Sequence, residues 1–148
     1  MILSDLIGVL LAWRTGRPIL IVEDEPLIAW HLAELMNGGA KALSARTCKR
    51  AVELAETENL SAAVLDHGCG GAAQTRMLCM KLAKRQVPYM FYTGCNELDE
   101  PHRPILVVRK PANSFVLLGA VTQLLLTSRI LPRPTHTHNV RQSAVVEV

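Results

Sequence analysis

No CxxC pair occurs in this chain: its four cysteines, Cys48, Cys69, Cys79 and Cys95, stand 21, 10 and 16 positions apart. That spacing removes the usual signature of a zinc site or a dithiol redox pair and leaves free thiols in a reducing cytosol as the plain reading. Long apolar runs are missing too. The longest near the N-terminus, Ile7 to Trp13, is far short of a membrane span, and no basic residues precede it as they would in a secretory leader. A cytoplasmic protein with no membrane part is expected. Nor is positive charge concentrated in the body. The net charge is +3; residues 129 to 148 hold Arg129, Arg133 and Arg141 against Glu147, and Asp5 cancels Arg14 within residues 1 to 16. Nucleic-acid binding rests on clustered Lys and Arg, so no nucleic-acid partner is expected.

What remains is 148 residues with 49% apolar content, enough for one good core and too few for two comfortable domains. Residues 17 to 128 carry a regular alternation. Pro18-Ile-Leu-Ile-Val22 is a continuous β-rich run that suits a strand buried on both faces. Leu27, His31, Leu32 and Leu35 then recur at helical spacing until Asn37-Gly38-Gly39. Ala40 to Ala45 is a weaker strand, and Thr47 is placed to cap a helix through Ala51, Val52, Leu54 and Ala55. Ser61 to Leu65 is the third strand; Gly68, Gly70 and Gly71 form a loop before a helix over 72–86. Pro88 to Tyr92 and Ile105 to Val108 are the fourth and fifth strands, and Asn113 or Ser114 caps a final helix to about Thr127.

Five short strands alternating with helices predict a doubly wound α/β fold with a parallel sheet covered on both faces. In that plan ligands bind beyond the carboxyl ends of the strands. Glu23 and Asp24 follow strand one, Asp66 strand three, Thr93 strand four and Lys110 strand five. Topology alone would gather three carboxylates, a hydroxyl and an ammonium on one edge. Crowded carboxylates raise one another's pKa unless a cation joins them, and an all-oxygen group suits Mg²⁺. A carboxylate beside such an ion, a hydroxyl and an ammonium is prepared to attack phosphorus, since phosphoryl transfer depends on stabilising charge on the transferring oxygens.

The segments ILIVEDEP, AAVLD, FYTG and VVRKP, in that order over residues 17 to 128, resemble the receiver domains of two-component response regulators. The resemblance implies a flavodoxin-like five-stranded sheet of order 2-1-3-4-5. It implies Mg²⁺ held by Glu23, Asp24, Asp66 and the backbone carbonyl of Gly68, with Asp66 as phosphoacceptor. Thr93 resembles the hydroxyl that bonds a phosphoryl oxygen, and Lys110 the lysine that pairs with it; Lys110-Pro111 would be a cis peptide. The partner it implies is a sensor histidine kinase or phosphotransfer protein. The receiver would catalyse its own phosphorylation on Asp66 and the later hydrolysis, without being a conventional enzyme.

The sequence departs from that pattern in places. Many receivers place Tyr or Phe three positions before the lysine, where this chain has Val107. Only residues 94 to 104, with Pro101 and Pro104, separate strands four and five, so the fourth helix is expected to be short or mobile. Pro88-Tyr-Met-Phe-Tyr-Thr-Gly94 resembles the single-domain receivers named for a FATGUY motif, with Tyr92 in place of its Ala and Cys95-Asn96 departing from its ending. His67 is either a proton relay beside Asp66 or an exposed loop residue, and strand alternation favours the second. Cys69 and Cys95 fall on loops at the same edge.

Three segments lie outside that core reading. Residues 1 to 16 form an extension in which Leu3, Leu6, Ile7 and Leu10 are spaced as a helix stripe. Residues 129 to 148, rich in Pro and His, read as a disordered tail. The last helix is apolar on more than one face, from Phe115 through Leu126, and favours a partner surface or a homodimer over cover by the chain's own termini. With no room in the tail for an effector domain, three functions are open. One is a stand-alone receiver that signals through a downstream protein partner; the others are a phosphate sink for a kinase and a non-phosphorylated adaptor.

Overall fold

A computed structural model describes residues 17–36, 41–66, 71–94, 106–130 and 144–146. Strands β1 (Ile19–Val22), β2 (Ala42–Ala45), β3 (Ala62–Leu65), β4 (Tyr89–Thr93), β5 (Leu106–Arg109) and β6 (Ala144–Val146) make one sheet. Its order is β2-β1-β3-β4-β5-β6, and every pairing is parallel. Helices α1 (Pro26–Met36), α2 (Cys48–Thr57), α3 (Ala72–Lys84) and α4 (Ser114–Ile130) cover it. The doubly wound five-strand order expected from the sequence is present.

Strand periodicity divides the core in two. Ile19, Ile21, Ala62, Val64, Met90, Leu106 and Val108 point to the α1–α4 side. Leu20, Val22, Ala63, Leu65, Phe91 and Val107 point to the α2–α3 side. Because β1, β3 and β4 are buried on both faces, they lack the apolar–polar alternation of a half-exposed strand. Local chemistry sets the helix ends. Thr47 Oγ1 accepts the Arg50 N–H at 3.1 Å, and Asn113 Oδ1 accepts the Val116 N–H at 2.9 Å. Gly71 precedes α3 at φ 89°, a left-handed conformation that a side chain would strain.

One expectation needs correction. Span 129–148 is not uniformly a disordered tail: α4 extends to Ile130, and Ala144-Val-Val146 pairs with Leu106-Val-Val108, making the sheet six-stranded. A three-residue run is too short to register as a strand by pattern, but the outer edge of β5 would otherwise present unpaired peptide groups. Replacing both Val145 and Val146 by proline removes those backbone donors and should lower stability by about 1–2 kcal/mol in urea unfolding. The helical spacing over Leu27 to Leu35 is present as α1, and packing selects which of its residues face inward. Leu32 is buried with Ile28 and Ala33 against the core, whereas Leu27 and His31 are exposed.

The breadth of the last helix has a plain cause. Leu117, Leu118, Ala120, Val121, Leu124 and Leu125 are all buried in the chain's own core. Among its described side chains, the large apolar ones left exposed are Phe115 and Leu126. The N-terminal extension and the expected short helix between β4 and β5 lie outside the described residues.

Candidate functional site

The chain crosses from one side of the sheet to the other between β1 and β3, which are hydrogen-bonded neighbours in register Val22↔Leu65. Such a switch point leaves a crevice at the carboxyl ends of the strands. Glu23 and Asp24 leave β1 into it and Asp66 leaves β3; the Asp66 N–H is held by the Val22 carbonyl at 2.9 Å. One carboxylate oxygen of each of these three residues lies within 4.8 Å of the others.

Lys110 begins three strands away, past β4, yet its Nζ donates to Glu23 Oε2 at 2.7 Å and stands 3.6 Å from Asp66 Oδ2. The β4–β5 register makes that placement firm, because the Lys110 N–H donates to the Thr93 carbonyl at 2.8 Å. Thr93 is itself buried at the same edge. Lys110-Pro111 is cis, as the resemblance implies.

The site is electrostatically tense. Burial pushes the Glu23 carboxyl above its ordinary 4.5, outweighing the hydrogen bonds it accepts from Lys110 and the Glu25 N–H. Burial likewise raises Asp66 above 3.8, with the charge of Asp24 adding to it and Lys110 opposing. For Lys110, burial alone would lower the pKa; the Glu23 hydrogen bond and the charges of Asp66 and Glu23 override it and leave it raised. Three acids against one ammonium is an anionic pocket with capacity for a further cation.

The donor set fits Mg²⁺, a hard ion that takes oxygen ligands. Opposite ligands of one Mg²⁺ lie about 4.2 Å apart, so a spread within 4.8 Å needs only a small side-chain adjustment. The three acids are not equivalent in availability. Both oxygens of Glu23 are engaged, one by Lys110 and one by the Glu25 N–H, and Glu23 is buried; Asp24 is exposed and Asp66 intermediate. Gly68, His67, Cys69 and Cys95 lie outside the described residues. Glu25 instead opens α1: its carbonyl accepts the Ala29 N–H at 3.0 Å, and Pro26 is the first helical residue.

Sequence reasoning missed Tyr92 as a site residue. Its ring lies 5.4 Å from Lys110 Nζ, and its hydroxyl accepts the Ala112 N–H at 3.3 Å. The ring thus supports the ammonium from below while the hydroxyl pins the loop after it. The available signal was an aromatic one residue before the threonine, where the resembling motif has Ala. The described cysteines contribute nothing to the site. Cys48 and Cys79 are thiols buried in the α2–α3 core, and burial pushes the Cys79 thiol up to about 11.

The fold is that of solved response-regulator receiver domains. No family model and no curated protein sequence matches the chain. Solved structures do match. The N-terminal domain of a response regulator/sensory box/GGDEF 3-domain protein from Carboxydothermus hydrogenoformans is 24% identical with a TM-score of 0.69, covering 77% of this chain and 98% of that one. A CheY-like response regulator receiver domain protein from Methanospirillum hungatei JF-1 is 21% identical with a TM-score of 0.66, covering 77% and 97%. A response regulator receiver protein from Sinorhizobium medicae WSM419 is 19% identical with a TM-score of 0.65, covering 76% and 96%. The chain has the receiver fold, carries an acidic cluster at the edge where that fold binds ligands, and has no helix among its described residues long and apolar enough to cross a membrane.

Proposed function

We propose that this chain is a phosphorylatable signalling receiver in which Asp66 takes a phosphoryl group from a phosphohistidine on a histidine kinase or phosphotransfer protein. The observation that carries the reading is the convergence of Asp66 with Glu23, Asp24 and Lys110 at the sheet's switch point. An Asp66 carboxylate oxygen attacks phosphorus, and the bond from phosphorus to the donor imidazole breaks with its electron pair returning to the ring. Water later cleaves the acyl phosphate to inorganic phosphate and restores the carboxylate.

Each neighbour has a part. Lys110, 3.6 Å from Asp66, is within reach of a phosphoryl oxygen on that carboxylate. Thr93, at the end of the next strand, supplies a hydroxyl for a second oxygen. Glu23, Asp24, Asp66 and the Gly68 carbonyl would hold Mg²⁺, which when bound neutralises charge on the transferring group. Phosphoryl transfer needs positioning and charge stabilisation more than covalent help, and these are what the site supplies.

We also read the chain as a cytoplasmic receiver of the FATGUY type, with output through protein contact. One feature supports this: Val107, at the position of the usual aromatic switch, is packed into the α2–α3 core. Acetyl phosphate with Mg²⁺ tests the central claim. Intact mass should show one added phosphoryl group that is base-labile, and Asp66→Asn should show none. No gain in the wild type, or an equal gain in Asp66→Asn, would refute the assignment.

A further inference from the structure

From Ser114 to Leu126, α4 carries no charged residue at all. Its exposed residues run Phe115, Gly119, Gln123, Leu126, at the 4-4-3 spacing of one helix face, with Thr122 half-buried beside them. Phe115 is 66% exposed and Leu126 42%. Beside it on the same side of the sheet packs α1, which turns Leu27, 75% exposed, and Trp30, 64% exposed, to the outside. Four large apolar side chains on two adjacent helices make a patch of the kind that marks a contact surface. The opposite layer also exposes Met77 and Met80 on α3, but it differs in carrying charge pairs across its surface. There α2 and α3 carry the surface ion pairs Arg50–Glu53 and Lys81–Glu56.

We infer that the patch on α1 and α4 is the docking surface of the chain's own N-terminal segment, residues 1–16. The inference rests on the fold and is independent of the phosphorylation chemistry. The segment joins the sheet at Arg17, whose carbonyl accepts the Ser61 hydroxyl at 3.1 Å at the start of β1. That is the end of the sheet toward which α1 and α4 both return, since each follows a strand that ends at the opposite edge. Sixteen residues at helical rise span about 24 Å, against about 25 Å for the 17 residues of α4.

The segment also has the matching chemistry. Leu3, Leu6, Ile7 and Leu10 make one apolar stripe, and an isolated helix of this length is marginal in water unless its apolar face finds cover. A second copy could cover the patch but would leave that stripe unpaired. A tethered segment acts at high effective concentration and covers both surfaces at once.

Trp30 is a built-in reporter, because the chain has only one other tryptophan, Trp13. In the full-length Trp13→Phe chain, Trp30 should emit at short wavelength and resist acrylamide. Adding Leu6→Asp and Ile7→Asp should shift the emission to the red and raise quenching roughly twofold or more. Retention of the fold is checked by an unchanged far-ultraviolet circular dichroism spectrum. Adding instead Phe115→Ser and Leu126→Ser, on the neighbouring helix, should also raise quenching of Trp30. The inference is overturned if Trp30 is as quenchable before the Leu6/Ile7 substitutions as after them. It is also overturned if protection disappears on dilution while sedimentation shows a dimer, since the occupant is then a second copy.

Discussion

Lys110→Met is expected to slow phosphorylation by acetyl phosphate by about 10²-fold, the scale seen when one preorganised charge-stabilising donor is lost. The same substitution should destabilise the protein, and by an amount that depends on pH. Lys110 is the cation at 2.7 Å from buried Glu23 and 3.6 Å from Asp66. Removing one partner of a buried pair costs about 3–5 kcal/mol when the other charge is left stranded. Here Lys110 is partly exposed and Glu23 can take up a proton, so the loss at pH 8 should be about 2–3 kcal/mol.

The sign of the pH effect follows from the carboxyls. In the folded wild type Glu23 and Asp66 are raised above 4.5 and 3.8, so the folded state binds more protons than the unfolded one just above those values. Stability contributed by these groups therefore falls as pH rises through their raised folded pKa values. Without Lys110 both carboxyls rise further and that fall steepens. Urea unfolding at pH 5 and pH 8 should thus separate Lys110→Met from wild type more at pH 8. An equal loss at both values would mean the lysine contributes packing and not charge. Lys110's own raised pKa contributes stability that is complete below 10.5 and is lost only above it, outside this window.

The readable part of this protein was the part dictated by periodicity and strand ends. Continuous β-rich runs such as Ile19–Val22 and Ala62–Leu65 are short, buried on both faces and followed at once by acids. Nothing but a parallel sheet places those acids together, and the structure brings Glu23, Asp24 and Asp66 within 4.8 Å. What sequence could not convey was orientation. The pattern Leu27–His31 is as helical as Ile28–Leu32, and only the packing of α1 on the sheet chooses the second. Nor could it convey long-range support. Tyr92 lies under Lys110 because β4 and β5 pair in register Tyr92↔Val108, a relation between residues 16 positions apart. The strand Ala144–Val146 was hidden for the same reason: its only claim to structure is the open edge of β5.

Asp24→Ala and Glu25→Ala should behave as opposites, although the two acids are adjacent. Asp24 is exposed at the crevice and contributes an oxygen to the cluster, and its charge helps raise Asp66. Removing it relieves repulsion, so the metal-free protein should gain about 0.5 kcal/mol, as expected for an exposed charge pair. Its response to Mg²⁺ should disappear, and with it Mg²⁺-dependent phosphorylation. Glu25 has no place in the cluster and acts through its carbonyl at the start of α1, so Glu25→Ala should retain both. Thermal melting with and without Mg²⁺ from pH 5 to pH 8 distinguishes them. A ligand that binds only the folded state raises its stability, and holding a cation requires Glu23 and Asp66 to release their protons. The Mg²⁺-induced shift should therefore grow with pH in wild type and Glu25→Ala and stay near zero in Asp24→Ala. A wild-type-sized shift in Asp24→Ala would move the ion away from this cluster and require a different partner for the acids that follow β1.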